Sequence, residues 1–213
     1  MNLIPISLDL NGQDSKSEHS DSNGGSLTLE NEFSTFHHLN RETKICKIWV
    51  VGAIFGGPAQ YRKTLALIRA LSEDYKLHVY IHSPGGCIIT TCHLLSAIND
   101  CKAETITHNL GLAASCGSLL LSVGNKIRVE PNSTTMFHNA GMGLMDLVHR
   151  AATKINHTQL FVEKLFDLMK SKGLITDIEH EAIVKRGEEF YITSTEIEKR
   201  LREKGIWFEG GVS

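Results

Sequence analysis

Hydrophobic and polar positions divide the chain into a polar front and a patterned body. Residues 11–26 (NGQDSKSEHSDSNGGS) carry no large apolar side chain, which predicts a mobile loop, because so little burial cannot offset ordering entropy. Period-two segments flank it at 3–10 (LIPISLDL) and 27–33 (LTLENEF), so residues 1–43 read as a β-hairpin arm, with a disordered tail as the alternative. The globular part, 44–213, opens with a β-branched strand at 45–54 bounded by Gly56, Gly57 and Pro58. Helical spacing follows at 60–72, a strand at 77–81, a helix at 87–98, a strand at 105–110 and a helix at 113–123. Short strands at 126–129 and 134–138 flank the turn Glu130-Pro131-Asn132-Ser133. A long helix spans 144–171, apolar at 144, 147, 148, 151, 155, 161, 165, 168 and 169 and stopped by Gly173. An extended piece at 187–192 precedes a last helix, which Thr193 and Glu196 open as a capping box and Gly205 ends. Strands alternating with helices predict an α/β fold with a largely parallel sheet.

Composition narrows the functional classes. Of 213 residues, 22 are basic and 24 acidic, so the formal charge of −2 offers nucleic acid or an anionic membrane no electrostatic footing. Apolar runs stop short of a membrane span and no secretory signal opens the chain, so a soluble cytoplasmic protein is expected. Five cysteines (Cys46, Cys87, Cys92, Cys101, Cys116) lack disulfide or zinc spacing, and eleven scattered histidines form no metal set, so no metal is expected.

Two strand-to-helix junctions can carry chemistry. Ser83-Pro84-Gly85-Gly86 admits close approach to the main chain and leaves N–H groups for an anion or oxyanion, although such a turn is more often a plain connector. In Gly111-Leu112-Ala113-Ala114-Ser115-Cys116-Gly117-Ser118, small residues surround Ser115 at a helix start. Ser115 is there either a helix-start residue in tight packing or a nucleophile with the Cys116 N–H as oxyanion donor. Its glycine stands four residues upstream, so it is not the G-x-S-x-G elbow. A serine nucleophile needs a base, and His138, ending the strand TTMFH, is the candidate. Glu188 and Glu189 are candidate orienting acids or an ordinary solvated pair.

Taken together, YIHSPGG, G-x-A-A-S-x-G-S-x-L-L, P-N-S-x-x-M-x-H and a final FYITSTE before the closing helix resemble the ClpP family, the proteolytic subunit of the Clp protease. The resemblance runs from about 45 to 208 and extends to LIPISLDL, which is similar to that family's axial-pore strand; a divergent or phage-type member fits. It implies a ClpP/crotonase-like fold and a serine endopeptidase with Ser115 as nucleophile and His138 as general base. It further implies oxyanion N–H groups at Gly86 and Cys116. The family's third member is an aspartate; counting back without gaps from Thr193-Ser194-Thr195-Glu196 puts Glu189 in its place, a departure, with Glu188 as the alternative. The resemblance also implies heptameric rings stacked as a tetradecamer, interlocked by the 144–171 helix as a handle. An AAA+ unfoldase would feed unfolded chains through the pore. No cofactor is implied: ATP would be used by the partner, since the chain has no G-x-x-x-x-G-K-(S/T) loop. Two rivals stay open, a catalytically silent ring subunit and an acyl-CoA enzyme of the crotonase type.

Overall fold

The computed structural model describes residues 30–32, 34–139 and 148–211. The expected arm strand at 3–10, its loop at 11–26 and the first turn of the expected handle lie outside them. Among the described residues, eight strands form one sheet in the order β1-β2-β3-β4-β5-β7-β8, with β6 added on β5. The first three are Glu30–Glu32 (β1), Thr35–Asn40 (β2) and Ile45–Val51 (β3), paired antiparallel in succession. β3 then runs parallel to Lys76–Ser83 (β4), and β4 parallel to Glu104–Ala114 (β5). Lys126–Val129 (β6) and Thr134–Phe137 (β7) both run parallel to β5, and Phe190–Thr193 (β8) closes the edge antiparallel to β7. The parallel heart and the α/β class follow the sequence pattern. β2 does not: the sheet begins ahead of Lys44, with a strand whose sequence, TFHHLN, is too polar to stand out.

Three helices, Arg62–Ala70 (α1), Ile88–Asn99 (α2) and Cys116–Leu121 (α3), follow β3, β4 and β5. Their buried Leu65, Ile68, Leu94, Ile98, Leu119 and Leu120 share one core with Cys46, Ile48 and Val50 of β3 and Leu77, Val79 and Ile81 of β4. β4 is buried over 77–81 on both faces, as a central parallel strand should be. Its second face carries a ring stack: Trp49 on Tyr80 (5.2 Å), Tyr80 on His108 (4.5 Å) and His108 on His78 (5.2 Å). Phe208 meets both histidines edge-on. His78 Nδ1 and His108 Nε2 lie 3.0 Å apart, so one ring donates N–H and the other accepts. Burial, with the cationic neighbours Arg128 and Lys47, pushes His108 down to about 3, so the pair is neutral near pH 7.

The helix expected at 113–123 starts three residues later. Ala113 and Ala114 are strand residues because they pair with Thr135 and Met136 of β7. The long helix, described as Val148–Ser171 (α4), buries Val162, Phe166 and Met169, a four-and-three spacing, while Leu160 and Phe161 face outward. Asp177–Arg186 (α5) is a helix the hydrophobic pattern did not announce. Its buried side consists of Ala182 and Ile183, and Ile178 is 77% exposed. Local chemistry specifies it instead: Thr176 and Glu179 form a reciprocal capping box, and Gly187 ends the helix at φ 67°. In the last helix, Ser194–Glu203 (α6), Thr193 accepts from the Glu196 N–H at 3.4 Å, but the Glu196 carboxylate turns to Arg200 at 2.8 Å. The reciprocal half of the expected box is therefore replaced by an ion pair. Arg200 also grips Glu179 through two bonds of 2.8 and 3.0 Å, fastening α6 to α5.

Candidate active site

β5 delivers Ser115 to the carboxyl end of the sheet. Along its first half β5 pairs with β6, up to Asn109↔Val129; beyond an irregularity it pairs with β7, from Leu112↔Thr134 to Ala114↔Met136. Ser115 N–H donates to Met136 O at 3.0 Å, so the serine is the last residue held by β7 before α3 begins. Its backbone sits at φ 54°, ψ −120°, a conformation that strains a non-glycine residue and turns the side chain out of the strand. Residues packed beneath it must be small: a Cβ on Gly85 would stand 2.7 Å from Ser115 Cβ.

β7 brings His138 alongside. His138 Nε2 lies 2.8 Å from Ser115 Oγ, a hydrogen bond across 23 residues of sequence. Antiparallel pairing of Met136 with Tyr191 and Phe137 with Phe190 carries the register to His138 opposite Glu189. Strand alternation then sends Glu188 to the other side, where Arg186 Nε holds it at 2.5 Å. The Glu189 carboxylate is 4.0 Å from His138 Nδ1 and 55% exposed. That contact is electrostatic, longer than a hydrogen bond.

Gly86 approaches from β4. Ile54 N–H donates to Gly85 O (2.8 Å) and Ile54 O accepts from Cys87 N–H (2.6 Å), which turns the N–H and C=O of Gly86 to the opposite side. There the Gly86 carbonyl accepts Cys116 Sγ–H at 3.3 Å, joining the two proposed oxyanion residues. A side chain at Gly86 is impossible without rearrangement, since φ is 146° and a Cβ would lie 2.2 Å from Ile54 O. Cys116 opens α3, so its N–H has no acceptor within the helix. Burial pushes the Cys116 thiol up, which leaves Ser115 the better-placed nucleophile of the two.

Beside Ser115 and His138 lies a partly open pocket walled by Ile88, Leu119, Val162, Leu165, Phe166 and Met169. Of its α4 wall, Leu165 and Met169 stood among the apolar positions read as the handle, whereas Val162 and Phe166 lay outside that pattern and were missed. The arrangement brings together Ser115, His138, Gly86 and Cys116, holds Glu189 at a longer reach and keeps Glu188 apart. Chemically it joins a hydroxyl, a base, N–H donors and an apolar recess, the parts that acyl transfer requires. Among the described residues, no group of three or more His, Cys, Asp or Glu could hold a metal ion, and no helix is long and apolar enough to cross a membrane.

Comparison with known proteins bears on this geometry. The chain is 40% identical over 76 residues to the ATP-dependent Clp protease proteolytic subunit 3, chloroplastic, of Arabidopsis thaliana, covering 35% of this chain and 25% of that protein. It is 29% identical over 109 residues to the ATP-dependent Clp protease proteolytic subunit 1 of Cutibacterium acnes (strain DSM 16379 / KPA171202), covering 50% of each. The chain thus spans a quarter to a half of the curated relatives it matches. The family model described as Clp protease matches residues 31–195, the greater part of the sequence, and the chain belongs to that family.

Proposed function

We propose that the protein is a serine endopeptidase that cleaves unfolded polypeptides and short peptides inside an oligomeric chamber. The observation that carries this reading is the 2.8 Å bond from Ser115 Oγ to His138 Nε2 beside an apolar pocket. Ser115 Oγ attacks the scissile carbonyl carbon as His138 Nε2 takes its proton. The tetrahedral oxyanion is met by the N–H groups of Gly86 and Cys116. His138 returns the proton to the leaving amine, and water, activated by the same imidazole, releases the acyl group from Ser115. Glu189 steadies the imidazolium through space, closing on Nδ1 as the charge forms. Because the pocket wall is apolar, an apolar side chain next to the scissile bond is the preferred occupant.

The remaining parts of the proposal rest on family membership. Residues 1–29, ahead of β1, serve as an axial-pore arm, and α4 interlocks two heptameric rings into a tetradecamer. A Clp unfoldase of the AAA+ class supplies substrate and consumes the ATP, so this subunit uses no cofactor of its own. The five cysteines are unpaired, which suits a reducing, cytoplasmic setting. A second reading, a ring subunit that assembles but does not cleave, draws on the 4.0 Å separation of His138 and Glu189.

A fluorophosphonate probe, which bonds to base-activated serines, decides between the two. One adduct per wild-type chain by intact mass and none on Ser115→Ala is the result expected of the peptidase. An assembled ring that takes no adduct would overturn it in favour of the silent subunit.

A further inference from the structure

The serine and the histidine reach each other across a joint in the sheet, and one buried side chain spans that joint. At Asn109, β5 leaves β6; its register against β4 also shifts between Ile81↔Asn109 and Ser83↔Ala113, so β5 is irregular at 110–112. β7 pairs with β5 only beyond this point, through three residue pairs. A four-residue strand on a bulged neighbour is a weak mount for a hydrogen bond that must form at 2.8 Å.

Asn109 is fully buried and uses its whole amide at the joint. Its Oδ1 accepts from Gly111 N–H at 3.0 Å, holding the irregular turn of β5. Its Nδ2 donates to Thr134 O at 2.9 Å and to Thr135 Oγ1 at 3.1 Å, seizing the start of β7. The Asn109 carbonyl also accepts from Glu130 N–H at 2.9 Å, where the chain leaves β6 for the turn into β7. One residue therefore ties together the bulge that aims Ser115, the turn that starts β7 and the strand that ends at His138.

We infer that Asn109 is a positioning residue for the Ser115–His138 pair, acting through β7 without touching substrate. The inference rests on the peptidase reading. Asparagine is suited to the task because it is neutral, short and both donor and acceptor; an aspartate could not donate to Thr134 O.

The test compares the full-length wild type with Asn109→Ala, Thr135→Val and Thr35→Val. The last removes a buried hydroxyl contact of 2.8 Å between Thr35 and Thr64, three strands away from Asn109 on β2, and serves as the control. With a short fluorogenic peptide, Asn109→Ala should lower kcat by about tenfold or more with KM little changed, the signature of a lost transition-state geometry. Thr135→Val, a near-isosteric loss of one of the three contacts, should lower kcat by about threefold and serves if the alanine variant does not fold. In both, the loss should stay in kcat at a protein concentration and temperature where circular dichroism shows the variant fully folded; a lesion of stability alone leaves kcat per folded chain unchanged. Wild-type kcat per folded chain in Thr135→Val or Asn109→Ala, or an equal loss in Thr35→Val, would overturn the inference while the peptidase reading stands. A wild type that neither cleaves nor takes the fluorophosphonate removes both.

Discussion

His108 offers a quantitative test of the sheet's second face. The folded ring titrates at about 3, against 6.5 for an ordinary histidine, chiefly because burial disfavours its cation. His78, Arg128 and Lys47 face it and oppose the added charge, and His78 is itself pushed down, first by burial and then by Lys47 and Lys76, with Glu104 opposing. The unfolded chain therefore takes up a proton before the folded one does. Stability is complete above about pH 6.5, falls as pH drops through that value and levels off below about pH 3. At pH 5 the linkage amounts to about 2 kcal/mol, or about 4–8 °C in Tm for a domain of this size. The assay is urea unfolding followed by tryptophan fluorescence, at one protein concentration, for wild type and His108→Gln at about pH 8, 6 and 5. The variant loses the 3.0 Å contact to His78 and should be the weaker protein at the highest pH. The gap should then close by about 2 kcal/mol on acidification, because the variant has no proton to take up at that position. A constant gap from pH 8 to 5 would refute the reasoning.

Four further outcomes are expected. Glu189→Gln should depress peptide cleavage by about a hundredfold or more, whereas Glu188→Gln, which severs only the contact with Arg186, should stay within about threefold in the same kcat assay. Gly86→Ala should abolish fluorophosphonate labelling, since its Cβ meets Ile54 O at 2.2 Å and the donor N–H must move. Met169→Ala should widen the pocket, and competition among peptides differing in one residue should shift toward bulkier apolar side chains. Light scattering on the full chain should give the mass of seven or fourteen subunits; a stable monomer would remove the chamber.

Much of this molecule is legible from side-chain type. β-branched runs placed β3, β4 and β6, and the crowding of small residues marked the turn that exposes Ser115. Where sequence reasoning failed, the deciding interaction was distant or polar. β2 is a strand because Cys46, Ile48 and Val50 beside it need a covered edge, not because TFHHLN alternates well. α5 owes its existence to Thr176 and Glu179 at its start and to Arg200 reaching across from α6. The two alanines before Ser115 are helix formers by propensity, and the β7 ladder overrides that preference. Glu189 could be counted to its position, but its 4.0 Å reach depends on where β8 begins, which no local pattern encodes.

The sharing of β5 between two neighbours divides tolerance to change unevenly over the molecule. β6 meets only its first half, so length changes in the segment between α3 and β6 leave the carboxyl end of the sheet untouched. The connection from Glu130 to Ser133 has no such latitude. One residue inserted there would advance β7 by one step along β5, exchange the faces of Thr135 and Met136, and carry His138 to the side of the sheet away from Ser115. Chain length between β6 and β7 thus fixes the pairing of Ser115 with His138 as firmly as any side chain, and a library of insertions along the gene, scored for fluorophosphonate labelling, should record it as a narrow gap.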